Sequence, residues 1–350
     1  MNKKTAVVIL NWNGRKLLEK FLPALIKNTP EEEADIIVAD NGSTDDSLQY
    51  LKQAYPSVRI IPMGENYGFA EGYNRALAQL NYQYAVLLNS DVEVAENWLT
   101  TAIRYLENHP HVAALQPKIL SYNDKSVFEY AGACGGFLDI YGYPFCRGRI
   151  FDTLEKDAGQ YDRETEILWA SGACLFIRVD DYREAGGLDA GFFAHQEEID
   201  LCWRLRARGK TIVCLPQSTV YHLGGATLNM EHPRKTFLNF RNNLLLIYKN
   251  LPEKYYRRVM LFRAPADCAA ALQLLLKGHP ANAWAVVKAH WDFAGRKKRY
   301  KAVRRENLEK SKSGLPHGIF KISLLWEYYI RKRRRYEMLE ELRTKKMIND

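Results

Sequence analysis

The sequence predicts an α/β protein: a doubly wound sheet followed by a helical, basic C-terminal region. Three observations carry that prediction. Short apolar runs alternate with amphipathic segments through the first third of the 350 residues, the pattern of β-α units joined by right-handed crossovers. Small polar clusters stand where those runs stop, as ligand sites do at the carboxyl ends of strands in open sheets. Charge is also divided along the chain. Residues 253–350 hold 24 Lys and Arg against 10 Asp and Glu, whereas residues 1–252 hold 26 against 31. We therefore expect two units, 1–252 and 253–350, with an anionic partner for the second.

The elements follow in order. Ala6–Leu10 is an apolar strand, and Arg15–Asn28 spaces Leu17, Leu18, Phe21, Leu22 and Leu25 as one helical face. A second strand, Asp35–Ala39, runs into Asp40-Asn-Gly-Ser-Thr-Asp-Asp, a loop and helix cap. Helix 47–55, strand 58–62, helix 72–81 and strand 84–88 come next, then helix 98–108 and strand 112–115. The stretch 121–167 is rich in Gly, Tyr and charge and receives no assignment. Residues 169–179 form a further apolar strand region. Beyond Glu253 the pattern turns helical at 255–276, 281–293 and 319–342.

Composition sets limits. A 47% apolar share with 12% aromatics is that of a globular chain able to bury a full core. No segment holds the roughly 18–20 uninterrupted apolar residues of a membrane span. The N-terminal apolar run breaks into Asn11-Trp-Asn-Gly14 too soon for a signal peptide and reads as a first strand. Cysteines 134, 146, 174, 202, 214 and 268 form no CxxC pair, so free buried thiols in a reducing cytoplasm are expected.

Four polar clusters carry chemistry. Tyr84–Leu88 leads into Asn89-Ser-Asp91, where a hard oxygen ligand suits a divalent cation bridging phosphates. Asp40 and Asn41 stand at a neighbouring strand end, where a carboxylate accepts a base N–H and backbone N–H groups meet an anion; the same residues also make ordinary turns. Residues 65–76 supply Gly68, Asn74 and Arg75 near a helix start. They match neither GxGxxG nor a P-loop. Phe192–Arg204 places two aromatics before Glu197, Glu198 and Asp200. Acids in a first helical turn favour the helix dipole, and clustered acids also hold up one another's pKa as a general base requires. His222 ends a strand before Gly224-Gly225, and with Asp91 it makes a mixed N/O pair of the kind Mn²⁺ or Mg²⁺ tolerates.

Together these segments resemble the family 2 glycosyltransferases of GT-A fold. The resemblance rests on Val7-Val-Ile-Leu-Asn-Trp-Asn-Gly14, Ile36-Ile-Val-Ala-Asp-Asn-Gly-Ser-Thr-Asp45, Asn66–Asn74, Leu87-Leu-Asn-Ser-Asp91, Glu197-Glu-Ile-Asp-Leu-Cys-Trp-Arg204 and His222-Leu-Gly-Gly225. It spans about residues 5–250 and is most similar to the rhamnosyltransferase-like branch. It implies a catalytic unit at 1–252 in which Asp40 holds the nucleotide base, with Asn11, Asn13, Asn41, Gly68, Asn74 and Asn89 around the donor. Asp91, helped by His222, would bind Mn²⁺ or Mg²⁺. Glu198 matches the base position with Glu197 as the alternative, and Asp200 completes the acidic set. The usual Asp-x-Asp is Asn89-Ser-Asp91 here, which leaves coordination to Asp91. The implied reaction is inverting transfer from a UDP- or dTDP-sugar, dTDP-rhamnose included, to a lipid-linked glycan.

Two rivals stand beside it: a non-catalytic nucleotide-sugar-binding assembly protein, and a sugar-phosphate nucleotidyltransferase. In the C-terminal unit, Trp284, Trp291 and Phe293 precede Arg296-Lys-Lys-Arg299, and Trp326, Tyr328 and Tyr329 precede Arg331–Arg335. Basic clusters beside interfacial aromatics suit the anionic inner face of a cell membrane, which predicts a cytoplasmic protein held there peripherally. No nucleic-acid motif accompanies the charge.

Overall fold

A computed structural model describes residues 3–224, 232–312 and 314–349, with side chains through 343. The chain opens with β1 (Thr5–Asn11), α1 (Arg15–Asn28), β2 (Ala34–Asp40), α2 (Ser47–Ala54), β3 (Arg59–Pro62), α3 (Gly68–Ala78) and β4 (Tyr84–Leu88). Next come β5 (Val92–Val94), α4 (Trp98–Asn108), β6 (Val112–Ser121), and the short strands β7 (Gly136–Asp139), β8 (Pro144–Cys146), β9 (Arg149–Ile150), β10 (Thr153–Leu154) and β11 (Thr165–Glu166). Then follow β12 (Cys174–Arg178), α5 (Val179–Ala185), α6 (Glu197–Ala207), β13 (Thr211–His222) and α7 (Pro233–Asn250). The chain closes with α8 (Glu253–Leu276), α9 (Pro280–Lys297), α10 (Lys301–Glu309), β14 (Ile319–Phe320), a π turn at Trp326–Ile330 and α11 (Tyr336–Asn349).

The main sheet runs β11-β13-β6-β12-β4-β1-β2-β3, with β5 on β13. Strands β3, β2, β1 and β4 are mutually parallel; β12 runs antiparallel between β4 and β6, so the sheet is mixed. The chain winds outward from β1 to β3 and returns on the other side at β4. That reversal is the switch point where an α/β sheet opens a crevice beyond its strands, and Asn11, Asp40 and Asn89 lie at or just past these strand ends. β1 and β4 are almost wholly buried, as strands covered on both faces should be.

The unassigned middle forms a second sheet, β10-β9-β8-β7-β14. Its last strand comes from the far C-terminus, and Phe320, Tyr336 and Leu339 pack into the same core as Phe137 and Phe145. Residues 319–342 are thus not one helix: a strand and a π turn precede α11, and Lys332 takes φ 59° in the basic run between the turn and α11. Three helices carry no expectation from the sequence: α5, α7 and α10. α6 and α9 both pack on α7.

Helix α8 is long and apolar enough to cross a membrane by length and composition. It carries a buried Arg263–Asp267 pair whose partners include the Tyr141 carbonyl and His290, so its first half is fastened to the body, while Leu272, Leu275 and Leu276 in its last turns are exposed. Among the six cysteines Cys268, on α8, is exposed rather than buried.

Candidate active site

At the ends of β1 and β2 a hydrogen-bond network fixes two loops against each other. Asn11 Nδ2 donates to Asp40 Oδ1 (3.1 Å) and Ser43 Oγ (3.0 Å), and the Ser43 N–H donates to Asp40 Oδ2 (3.0 Å). Asn13 Oδ1 accepts from the Thr44 N–H at 2.7 Å. Asp40 is 2% exposed and both its oxygens are engaged, so it shapes the loop that borders the crevice. Asn41 fastens the next loop, donating to the Gly68 carbonyl (3.0 Å) and accepting from the Tyr67 N–H (3.1 Å). Asn74 is taken up completely. It donates to the Leu188 carbonyl and accepts from the Leu188 N–H and the Tyr182 hydroxyl. Asn41 and Asn74, expected around the donor, thus have their amides engaged within the protein, Asn41 also donating to Asn66 Oδ1 at 3.1 Å.

At the end of β4, Asp91 meets the end of β13. His222 Nε2 lies 3.1 Å from Asp91 Oδ1, and both side chains are buried. On the other side of the ring, Nδ1 stands 3.3 Å from Glu129 Oε2, an ion-pair distance without hydrogen-bond alignment. Burial opposes charge on this imidazole, yet the two carboxylates facing its nitrogens, Asp91 and Glu129, outweigh it and raise its pKa to about 10. Glu129 lies in the stretch that the sequence left unassigned. Gly225 of the His222–Gly225 motif lies outside the described residues. No three His, Cys, Asp or Glu side chains are grouped to hold a metal among the described residues.

The acidic cluster sits at the start of α6, after an unusual loop. Phe193, His195 and Gln196 all have positive φ, 64°, 71° and 69°, a conformation that costs on the order of 1 kcal/mol or more each and persists only where neighbours impose it. Those neighbours are visible. The Phe193 carbonyl accepts from the Phe69 and Ala70 N–H groups of α3. Asn242 of α7 donates to the carbonyls of Phe192 (3.1 Å), Ala194 (2.8 Å) and His195 (2.7 Å). Gly68 is required where α3 meets this loop: with φ +77°, a Cβ there would lie 2.5 Å from the Phe193 ring. The same carbonyl cap explains why α3 begins at Gly68 and not at residue 72.

Glu197 and Glu198 each keep one buried oxygen without a hydrogen-bond partner. Burial raises Glu198 to about 7, partly opposed by backbone N–H groups of the first turn. Glu197 is 3% exposed and held well above the carboxylate range by burial and by the charge of Glu198. Nearby His195 is pushed down to about 4, chiefly by burial and also by Lys235. Asp200 is the exception. Fully buried, it accepts from Arg204 (2.9 Å), Lys249 (2.8 Å) and Asn250 (2.8 Å); despite burial, the two cations hold its pKa below the ordinary value. It welds α6 to α7, facing away from Glu198. The reason is helical geometry: positions 198 and 200 lie on opposite faces.

The two halves meet through one segment. The Asn89 N–H donates to the Ala173 carbonyl at 3.0 Å. One residue earlier, a Cβ built on Gly172 would stand 3.9 Å from Glu198 Cβ and 3.3 Å from the Phe69 ring. Asn89 itself is half-buried.

Comparison with known proteins agrees with this fold. A sequence model of the family described as Glycosyl transferase family 2 matches residues 6–159. An N-acetylglucosaminyl-diphospho-decaprenol L-rhamnosyltransferase of Mycobacterium tuberculosis is 30% identical over 232 residues, 62% of this chain and 75% of that protein. Rhamnosyltransferase WbbL of Escherichia coli is 26% identical over 261 residues, 71% of this chain and 92% of that one. The structure of GalNAc-T7 with UDP, GalNAc and Mn²⁺ shares the fold with a TM-score of 0.59 at 16% identity, over 94% of this chain and 56% of that one. The sheet and these likenesses define a glycosyltransferase of GT-A architecture. The chain belongs to glycosyl transferase family 2, in its rhamnosyltransferase-like branch.

Proposed function

We propose that this protein transfers a sugar, with inversion, from a nucleoside-diphosphate donor to a hydroxyl of a lipid-linked glycan. The observation that carries the reading is the convergence on Gly172-Ala173: the strand end bearing Asn89 bonds to one of these residues and Glu198 packs beside the other. The catalytic unit is 1–252, and its relatives in Mycobacterium and Escherichia favour a rhamnosyl donor such as dTDP-rhamnose.

Glu198 takes the role of base. Burial lifts its carboxyl towards neutrality, where a base works best, and it is more accessible than Glu197. It removes the proton of the acceptor hydroxyl as that oxygen attacks the anomeric carbon and the diphosphate departs from the opposite face. Asp91 and His222 fit a divalent cation that displaces the proton held on the ring: a carboxylate oxygen and an imidazole nitrogen, both buried at adjoining strand ends, are donors that Mn²⁺ or Mg²⁺ accepts. A cation there supplies charge stabilisation to the departing diphosphate. Asn11, Asn13 and Asp40 keep the donor-side loops in register, and Asn89 offers its amide to the donor.

The C-terminal unit rests on an anionic membrane surface as a peripheral attachment. Leu261 and Leu276 on α8 and Trp284 and Trp291 on α9 are exposed, and the basic run Arg296–Arg299 follows at the end of α9. Incubation with UDP- and dTDP-sugars and a lipid-linked acceptor tests the whole reading. Nucleoside diphosphate release with a product of opposite anomeric configuration is expected. Pyrophosphate release would instead identify a nucleotidyltransferase, and donor binding without turnover would identify an assembly protein.

A further inference from the structure

Beside the loop that presents Glu198 lies a pocket of about 430 Å³, lined by Phe193, Arg234, Phe237, Leu238, Arg241 and Arg296. Of its three guanidinium groups, two share one carboxylate. Asp292 pairs with Arg296 and stands 3.7 Å from Arg241 Nη1. Arg234 has no carboxylate partner among the described residues, and its guanidinium lies 4.8 Å from the centre of the Phe193 ring. Arg241 is buried and already donates to the Gly191 and Phe192 carbonyls, so it adds charge to the pocket while Arg234 and Arg296 are left to face a ligand. The cluster therefore carries more positive charge than the protein neutralises, inside a concave site with aromatic walls. Arginine forks are the side chains that grip phosphate oxygens in pairs.

The position of the pocket decides which phosphate. The donor diphosphate belongs with Asp91 and His222 at the strand ends. This pocket shares Phe193 with the base loop, five residues before Glu198, and Arg296 sits on the helix that exposes Trp284 and Trp291.

We propose that this pocket binds the phosphate groups of the acceptor, the diphosphate joining an acceptor sugar to its polyprenyl carrier. The proposal rests on the glycosyl-transfer reading above. Two measurements test it. Farnesyl diphosphate is titrated into the protein with saturating nucleoside diphosphate present, which occupies the donor site. Wild type should bind, and R234Q and R296Q should each weaken binding about tenfold or more, with the unfolding midpoint of R234Q unchanged. No binding by wild type, or binding by both variants as tight as that of wild type, overturns the proposal. Separately, kcat/KM is measured for a polyprenyl-diphosphate sugar and for an alkyl glycoside of the same sugar. The preference for the diphosphate acceptor should fall about tenfold in R234Q, and an unchanged preference overturns the proposal. Absence of transfer from every donor by wild type would instead refute the glycosyl-transfer reading, and the farnesyl diphosphate titration would still decide the pocket.

Discussion

Replacing Glu198 by Gln separates its chemical role from its cost to the fold. The carboxyl is raised from 4.5 to about 7 by burial, which corresponds to about 3 kcal/mol as an upper limit. The sign is fixed by linkage. Below pH 4.5 the group is protonated folded and unfolded, so Glu and Gln are equivalent. Between 4.5 and 7 the unfolded chain ionises first, and wild type progressively loses stability relative to Glu198→Gln. Above 7 the difference levels off, with the variant more stable by up to about 3 kcal/mol. Glu197 shares the titration, so the profile belongs to the pair. Urea unfolding at a series of pH values reads this term directly. Initial transfer rates read the other: wild-type turnover should rise with pH to a plateau above about 7, and Glu198→Gln should lose about 10²–10⁴ in rate. A variant within a few fold of wild type in activity, or a stability difference that ignores pH, would refute the assignment of Glu198 as a buried base.

Three further outcomes follow from the same geometry. Asp91→Ala should abolish Mn²⁺-stimulated turnover while nucleotide binding in EDTA persists; a variant still stimulated by Mn²⁺ would remove Asp91 from the metal site. Lys249→Met strands Asp200 with one fewer cation in a fully buried position and should cost about 3–5 kcal/mol in urea unfolding, an effect under 1 kcal/mol counting against the pair as a weld. Co-sedimentation with phosphatidylglycerol vesicles should weaken about tenfold or more in the W284A/W291A double variant and fade with added salt; equal binding to neutral vesicles would exclude the electrostatic part.

How much of this was legible depended on how local each signal was. Arg15–Asn28 and Tyr84–Leu88 coincide with the observed elements because their periodicity is complete within the segment. β6 was cut short at Leu115 because Gln116-Pro-Lys118 breaks the apolar run. In the structure Gln116 bonds to the Gly132 carbonyl and the Ser171 N–H, and Lys118 pairs with Asp157, partners that only the fold supplies. The small sheet was illegible for the same reason: its strands are two to four residues long, and β14 arrives from beyond residue 318. Helix α7 hid behind Arg241-Asn-Asn243, a polar run inside a buried helix, whose side chains strap the base loop. The strand-end residues were legible because topology alone puts Asn11, Asp40 and Asp91 at one edge.

The lone acid at the Asn89-Ser-Asp91 strand end has its counterpart elsewhere in the chain. Sequence places one carboxylate there, and the structure brings a second, Glu129, to within 3.3 Å of His222 from the loop after β6. Asp91 and Glu129 thus flank one imidazole on its two nitrogens, the arrangement in which an outer carboxylate orients a ligating histidine and raises its donor strength. On that logic Glu129 compensates for Asn89 without touching the metal. Glu129→Gln keeps the shape and removes the charge, so the Mn²⁺ concentration for half-maximal turnover should rise about 10–100-fold, with kcat at saturating Mn²⁺ much less affected. If the Mn²⁺ requirement does not move, Glu129 is only a loop fastener through its bond from the Ala131 N–H, and Asp91 carries the site alone.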